Sequence, residues 1–144
     1  MPKVESSVAQ ALSRAHLALL NDLKKLEDSV DEAKGPDLTA LGVRLGATKT
    51  HILEHFRFEE QNGYMDKVRK REPRLERTID QLENEHRQLS QSLDSLIGKA
   101  KEATNLDHSL RNQVFDWIAS VRKHETREDE LVQDAFNLDI GTED

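Results

Sequence analysis

The sequence predicts an all-α protein, an antiparallel up-down four-helix bundle, and three observations predict it. Four segments carry core-type residues at alternating steps of four and three, the repeat of a helix that faces the centre of a bundle. Three short breaks separate them, Lys34-Gly35-Pro36-Asp37, Arg71-Glu72-Pro73 and Thr104-Asn105-Leu106-Asp107, each with residues that stop or start helices. The 144 residues suffice for one domain with a real core, and 35% hydrophobic against 34% charged residues suits four helices with one narrow buried stripe each.

The first helix, expected over about 5–34, runs Leu12, His16, Leu19, Leu23, Leu26, Val30 without a slip. The second, over about 38–70, is less apolar but keeps the step through Leu38, Leu41, Leu45, Thr48, Ile52, His55 and Glu59. Gly42, Gly46 and Gly63 fall inside it, although glycine costs about 1 kcal/mol against alanine in a helix; a late start, a kink or close packing of a neighbour would each account for them. The third, over about 74–103, gives Leu75, Ile79, Leu82, His86, Leu89, Leu93, Leu96, Ala100. The fourth, over about 108–136, gives Leu110, Val114, Trp117, Val121, His124, Glu128, Leu131, Ala135. An acidic tail over 137–144 follows, and the whole chain, 1–144, reads as a single domain without repeats or low-complexity segments.

Charge and composition narrow the function. A formal charge of −7 argues against a nucleic-acid backbone or an anionic membrane surface as partner. With no cysteine, disulfides, thiolate metal sites and cysteine nucleophiles are excluded, so any metal is held by nitrogen and oxygen. No stretch has the length of a signal core or a membrane span, and a soluble, cytoplasmic protein is expected.

Six polar residues then stand out, because they occupy the apolar stripes: His16, His55, Glu59, His86, His124 and Glu128. Imidazole and carboxylate groups are costly in such a seam unless they meet a partner. Height agrees with phase. His16 lies about 19 residues before Gly35 and His55 about 18 after Asp37, which at 1.5 Å per residue is one level. Glu59 lies about 12 before Arg71 and His86 about 13 after Pro73; His86 is about 18 before Thr104 and His124 about 17 after Asp107. Four helices therefore carry their polar core residues in one layer, and the simplest partner is a metal pair.

A histidine with a glutamate one turn later projects both side chains from one helix face, as His55 and Glu59 do, and His124 and Glu128. Each pair can place a nitrogen and a bidentate or bridging carboxylate on neighbouring ions, and with His16 and His86 this makes six protein ligands. Two octahedral irons so held keep open positions for a small molecule. Zinc would be satisfied with fewer ligands and magnesium or calcium prefer oxygen throughout, which leaves iron first and manganese second.

On these residues the chain resembles the hemerythrin-like, or HHE cation-binding, domain family: His16 in the first helix, HFRFEE from His55 to Glu60, ENEH from Glu83 to His86, and HETRED from His124 to Asp129. The resemblance covers nearly the whole chain. It implies an up-down four-helix bundle with two non-haem iron ions, bridged by an oxygen species and held by those residues, in roles from dioxygen binding to iron, redox or nitric-oxide sensing. Oxygen-carrying members have two histidines one turn apart in the third helix, whereas Leu82 and Ser90 flank His86 at that spacing, so one iron lacks a histidine. That is closer to sensor-type and bacterial members with a more open iron. The oxygen carriers also use an aspartate five residues after the fourth-helix histidine. Asp129 matches that spacing, while Glu128 matches the other branch and holds the seam phase, so Glu128 is preferred, with Asp129 as substitute.

The expected function is binding or sensing of a small diatomic or oxygen-derived ligand, or of iron itself, with no nucleic acid and no membrane as partner. The rivals are an enzyme consuming peroxide or reducing nitric oxide at the same centre, and a metal-free helical interaction module. A ferritin-like site would need Glu-x-x-His on two helices, and only Glu83 and His86 provide it. His51, one turn before His55, reads as a partly exposed residue with a supporting role at most. His108 reads as surface, Glu60 and Glu125 as solvated, and Trp117 as bundle packing. Tyr64 reads as packing, with a proton donor as the other option.

Overall fold

The computed structural model describes residues 3–33, 38–61 and 64–136, with side chains from Gln10 onward except that of Tyr64. Helix α1 spans Lys3–Glu32, α2 Thr39–Gln61, α3 Tyr64–Arg71, α4 Glu76–Glu102 and α5 His108–Phe136, with a 3-10 turn at Pro73–Leu75. The four long helices pack in the cycle α1–α2–α4–α5 and back to α1. Short connections between packed neighbours make each pair antiparallel, which is the predicted all-α up-down bundle. No helix among the described residues is long and apolar enough to cross a membrane.

Local chemistry explains the element ends. Asp107 caps α5, its Oδ1 accepting from the Leu110 amide at 2.8 Å. Pro73 opens the 3-10 turn that leads into α4, where a missing amide hydrogen costs nothing. Trp117, buried, donates its Nε1 hydrogen to the Leu89 carbonyl at 2.9 Å and ties α5 to α4.

Of the second predicted helix, 38–70, the described residues are helical over Thr39–Gln61 as α2 and over Tyr64–Arg71 as α3; Gly63 and the acidic tail lie outside the described residues. α3 buries Met65 and Val68 at one end of the bundle. Gly42 and Gly46 sit well inside α2, and a Cβ at either would meet nothing within 4 Å, so neither a late start nor close packing accounts for them.

The core divides in two. One apolar cluster contains Leu19, Leu23, Leu45, Ile52, Phe56, Leu89, Leu93 and Val121. The other contains Leu12, Met65, Val68, Ile79, Leu82, Leu131 and Phe136. In α1, α4 and α5 the polar seam residues fall at the step between the two clusters, and on α2 His55 and Glu59 flank Phe56 of the first.

Candidate metal centre

Each helix delivers its polar residues by the seam repeat alone. His16 stands between Leu12 and Leu19, His86 between Leu82 and Leu89, and His124 with Glu128 between Val121 and Leu131; α2 brings His55 and Glu59 to the same layer. All six are buried, and Glu59 and Glu128 are 0% exposed. Glu125, expected in solvent, is buried with them at 3% exposure. Their ligand atoms form two groups able to hold an ion, each drawn within 4.8 Å: His16, His55, Glu59, Glu125 and Glu128 in one, and Glu59, His86, His124 and Glu128 in the other.

The two groups share Glu59 and Glu128, and the carboxylates divide their oxygens between them. Glu59 Oε2 is 3.3 Å from His16 Nε2 and 2.9 Å from His55 Nε2, while its Oε1 is 3.0 Å from His86 Nε2. Glu128 Oε1 is 3.3 Å from His16 Nε2, while its Oε2 is 3.2 Å from His86 Nε2 and 3.1 Å from His124 Nε2. Glu125 keeps both oxygens on one side, at 3.2 Å from His16 Nε2 and 3.1 Å from His55 Nε2. Two carboxylates thus straddle the groups and one serves a single group.

Several of these buried atoms are close to a partner without being hydrogen-bonded to one. Glu59 Oε1, Glu125 Oε1 and His124 Nε2 have no hydrogen bond. Leaving such groups buried and unsatisfied costs about 1–3 kcal/mol each, more when charged. A cation accepting their lone pairs removes that cost, so the donor set fits a metal. Its chemistry, imidazole nitrogen with carboxylate oxygen, suits borderline and harder transition ions.

Two of the histidines have their outer nitrogen held by a second carboxylate. His124 Nδ1 is 2.7 Å from Glu85, which also pairs with Arg127. His86 Nδ1 is 2.5 Å from Glu60, whereas His16 Nδ1 lies 2.9 Å from Asp129 without hydrogen-bond geometry. A proton on Nδ1 leaves the Nε2 lone pair free to face inward, the tautomer a metal ligand needs.

Without a cation the same cluster holds protons. Burial by itself lowers the His16 pKa, but the neighbouring carboxylates of Asp129, Glu128, Glu59 and Glu125 outweigh it and raise it to about 12. Burial likewise opposes, and carboxylates overcome it, at His55, raised to about 9 by Glu125 and Glu59, and at His86, raised to about 10 by Glu128, Glu59 and Glu60. Burial raises Glu125, with His55 and His16 acting against it. At Glu128 burial is outweighed by bonds from His124, His16 and His86, and its carboxyl lies well below the usual range. Protons and metal compete for one set of lone pairs.

The model of the hemerythrin HHE cation binding domain matches residues 7–136. The chain belongs to this family. No curated protein and no solved structure shows a significant similarity to it. Membership makes it a cation-binding domain, and among the described residues the two His/Glu groups are where its donors can hold metal.

The remaining candidates fall outside these groups. Asp129 touches only the outer nitrogen of His16, and its side chain is 45% exposed, so Glu128 is the residue that enters the cluster. Glu60 is exposed but supports His86. Glu83 pairs with Arg69, which removes the single Glu-x-x-His motif from the site. His51 is exposed and bonded to Asp22, and His108 is exposed. The histidine missing from α4 does not leave one group short: each holds two histidines, and they differ by Glu125. A signal for Glu125 was present, since Ile118, Glu125 and Val132 form a second buried stripe on α5 at seven-residue spacing.

Proposed function

We propose that this chain is a non-haem di-iron protein that binds or senses a small ligand, dioxygen, nitric oxide, peroxide or iron itself, inside the bundle. The observation that carries the reading is the division of Glu59 and Glu128 between two histidine pairs, since carboxylates so placed suit two neighbouring ions better than one. Mixed nitrogen and oxygen donors favour iron, with manganese second.

The His86/His124 group has four donor residues against five in the other, so its ion keeps more open positions. The Phe56 ring stacks on His86 at 4.0 Å and meets His124 edge-on at 5.9 Å, giving that group an apolar wall. Three carboxylates against two divalent ions leave one positive charge, which favours a small anion or a polarisable neutral molecule. When bound, the iron pair supplies the ligand-binding and redox chemistry. The protein's residues fix both ions, hold the inward tautomers, and keep bulk water away through the apolar clusters on either side.

Titration of anaerobic iron-loaded protein with nitric oxide tests the reading. A stable adduct saturating at a fixed amount per chain is expected. Catalytic consumption of excess nitric oxide or peroxide would instead make the protein an enzyme on the same centre.

A further inference from the structure

A centre sealed between two apolar clusters needs a route for its ions, and the groove between α1 and α2 has the chemistry for one. A cavity of about 410 Å³ there is lined by Ala18, Asp22, His51, Glu54 and the metal-group residue His55, among others. Asp22 is 5% exposed; its Oδ1 is 2.7 Å from His51 Nδ1 and 3.5 Å from Arg44, and its buried Oδ2 has no hydrogen-bond partner. Nothing in the packing of α1 on α2 requires a buried carboxylate with a free oxygen beside a cavity, and such a group costs stability. Arg44 and His51 hold it through one oxygen and leave the other as a donor.

The histidines on this groove form a step from solvent to centre. The side chain of His51 is 52% exposed and that of His55, one turn on, is 5% exposed. Four helical residues span about 6 Å, short enough for an ion to pass from one imidazole toward the next. With Nδ1 facing Asp22, His51 keeps Nε2 for a cation. Lys25, which also lines the groove, and Arg44 are opposing charges, set against Asp22 and Glu54.

The groove between α4 and α5 also reaches the centre, at His124, but it is unsuited to cations. Lys123 and Arg127 line it, and its carboxylate, Glu85, is engaged by His124 and Arg127.

We propose that divalent cations reach the centre through the α1/α2 groove, captured first by Asp22 and His51 and passed to His55. This rests on the metal-centre reading and adds an entry site to it.

The test is the rate of cobalt(II) uptake by chelator-stripped, folded protein, followed by stopped-flow visible absorption and ended by counting cobalt per chain. Asp22→Asn removes the capture carboxylate, Ala18→Trp plugs the groove from an exposed helix position, and Ser120→Trp fills the α4/α5 groove as control. Uptake slower by on the order of tenfold is expected for the first two, with the parent's final cobalt content and an unchanged rate in the control. Should Asp22→Asn lose its fold by circular dichroism, Ala18→Trp carries the test. Uptake as fast as the parent in the α1/α2 variants, or slowing in Ser120→Trp alone, overturns the route. A parent chain that takes up no cobalt overturns the metal-centre reading and the route with it.

Discussion

Glu85 reaches from α4 to the outer nitrogen of His124 on α5, with 2.7 Å between Oε1 and Nδ1, and the same carboxylate pairs with Arg127. Burial opposes ionisation of Glu85, yet the bonds from His124 and Arg127 hold its carboxyl below the usual range. A charged carboxylate there fixes the ring and its inward tautomer without touching the ion. Glu85→Gln is expected to weaken metal binding by about 10–100-fold with the fold intact. Chelator competition with circular dichroism as control measures this, and unchanged affinity would reduce the pair to a surface ion pair.

The division of oxygens predicts unequal stoichiometries. Glu59→Ala and Glu128→Ala each strip a donor from both groups, so both should lose most of their metal. Glu125→Ala touches only the His16/His55 group and should retain at least one ion per chain. Equal losses from all three variants would contradict the assignment of Glu125 to one side.

How much of this was legible follows from geometry. The seam repeat and the break positions contain all that is needed to place His16, His55, His86 and His124 in one layer, because helix rise and phase are nearly invariant. Glu125 is one residue from His124, and a single-stripe reading turns it outward. In a four-helix cycle each helix contacts two neighbours, so the buried arc is wider than one stripe, and Ile118, Glu125 and Val132 occupy the extra width. The burial of Met65 and Val68 depends on which neighbours α3 meets at that end of the bundle, which no local pattern encodes.

Metal uptake should release protons. His16, His55 and His86 have pKa values raised to about 12, 9 and 10, so near neutral pH the metal-free cluster is protonated and affinity should climb as pH rises. For stability the sign is that of raised groups: their contribution is complete below about 6.5 and is lost as pH rises through the folded values. The Tm of metal-free protein should therefore fall as pH rises above about 6.5 and through the folded values, while that of loaded protein should not. Calorimetry across pH 7–10 distinguishes this from a flat profile in both forms, which would contradict it.

Gly42 and Gly46 have room for a methyl group and lie within α2. Replacing either by alanine should stabilise the metal-free protein by about 1 kcal/mol. Urea denaturation measures it, and a loss of stability would mean that α2 needs the glycines for a bend.

The central claim is that two ions share Glu59 and Glu128, and metal content tests it most directly. Elemental analysis of protein produced with iron and purified without chelators should give close to two irons per chain. A folded chain that stays empty after anaerobic addition of iron(II) would contradict the account and leave a helical interaction module in its place.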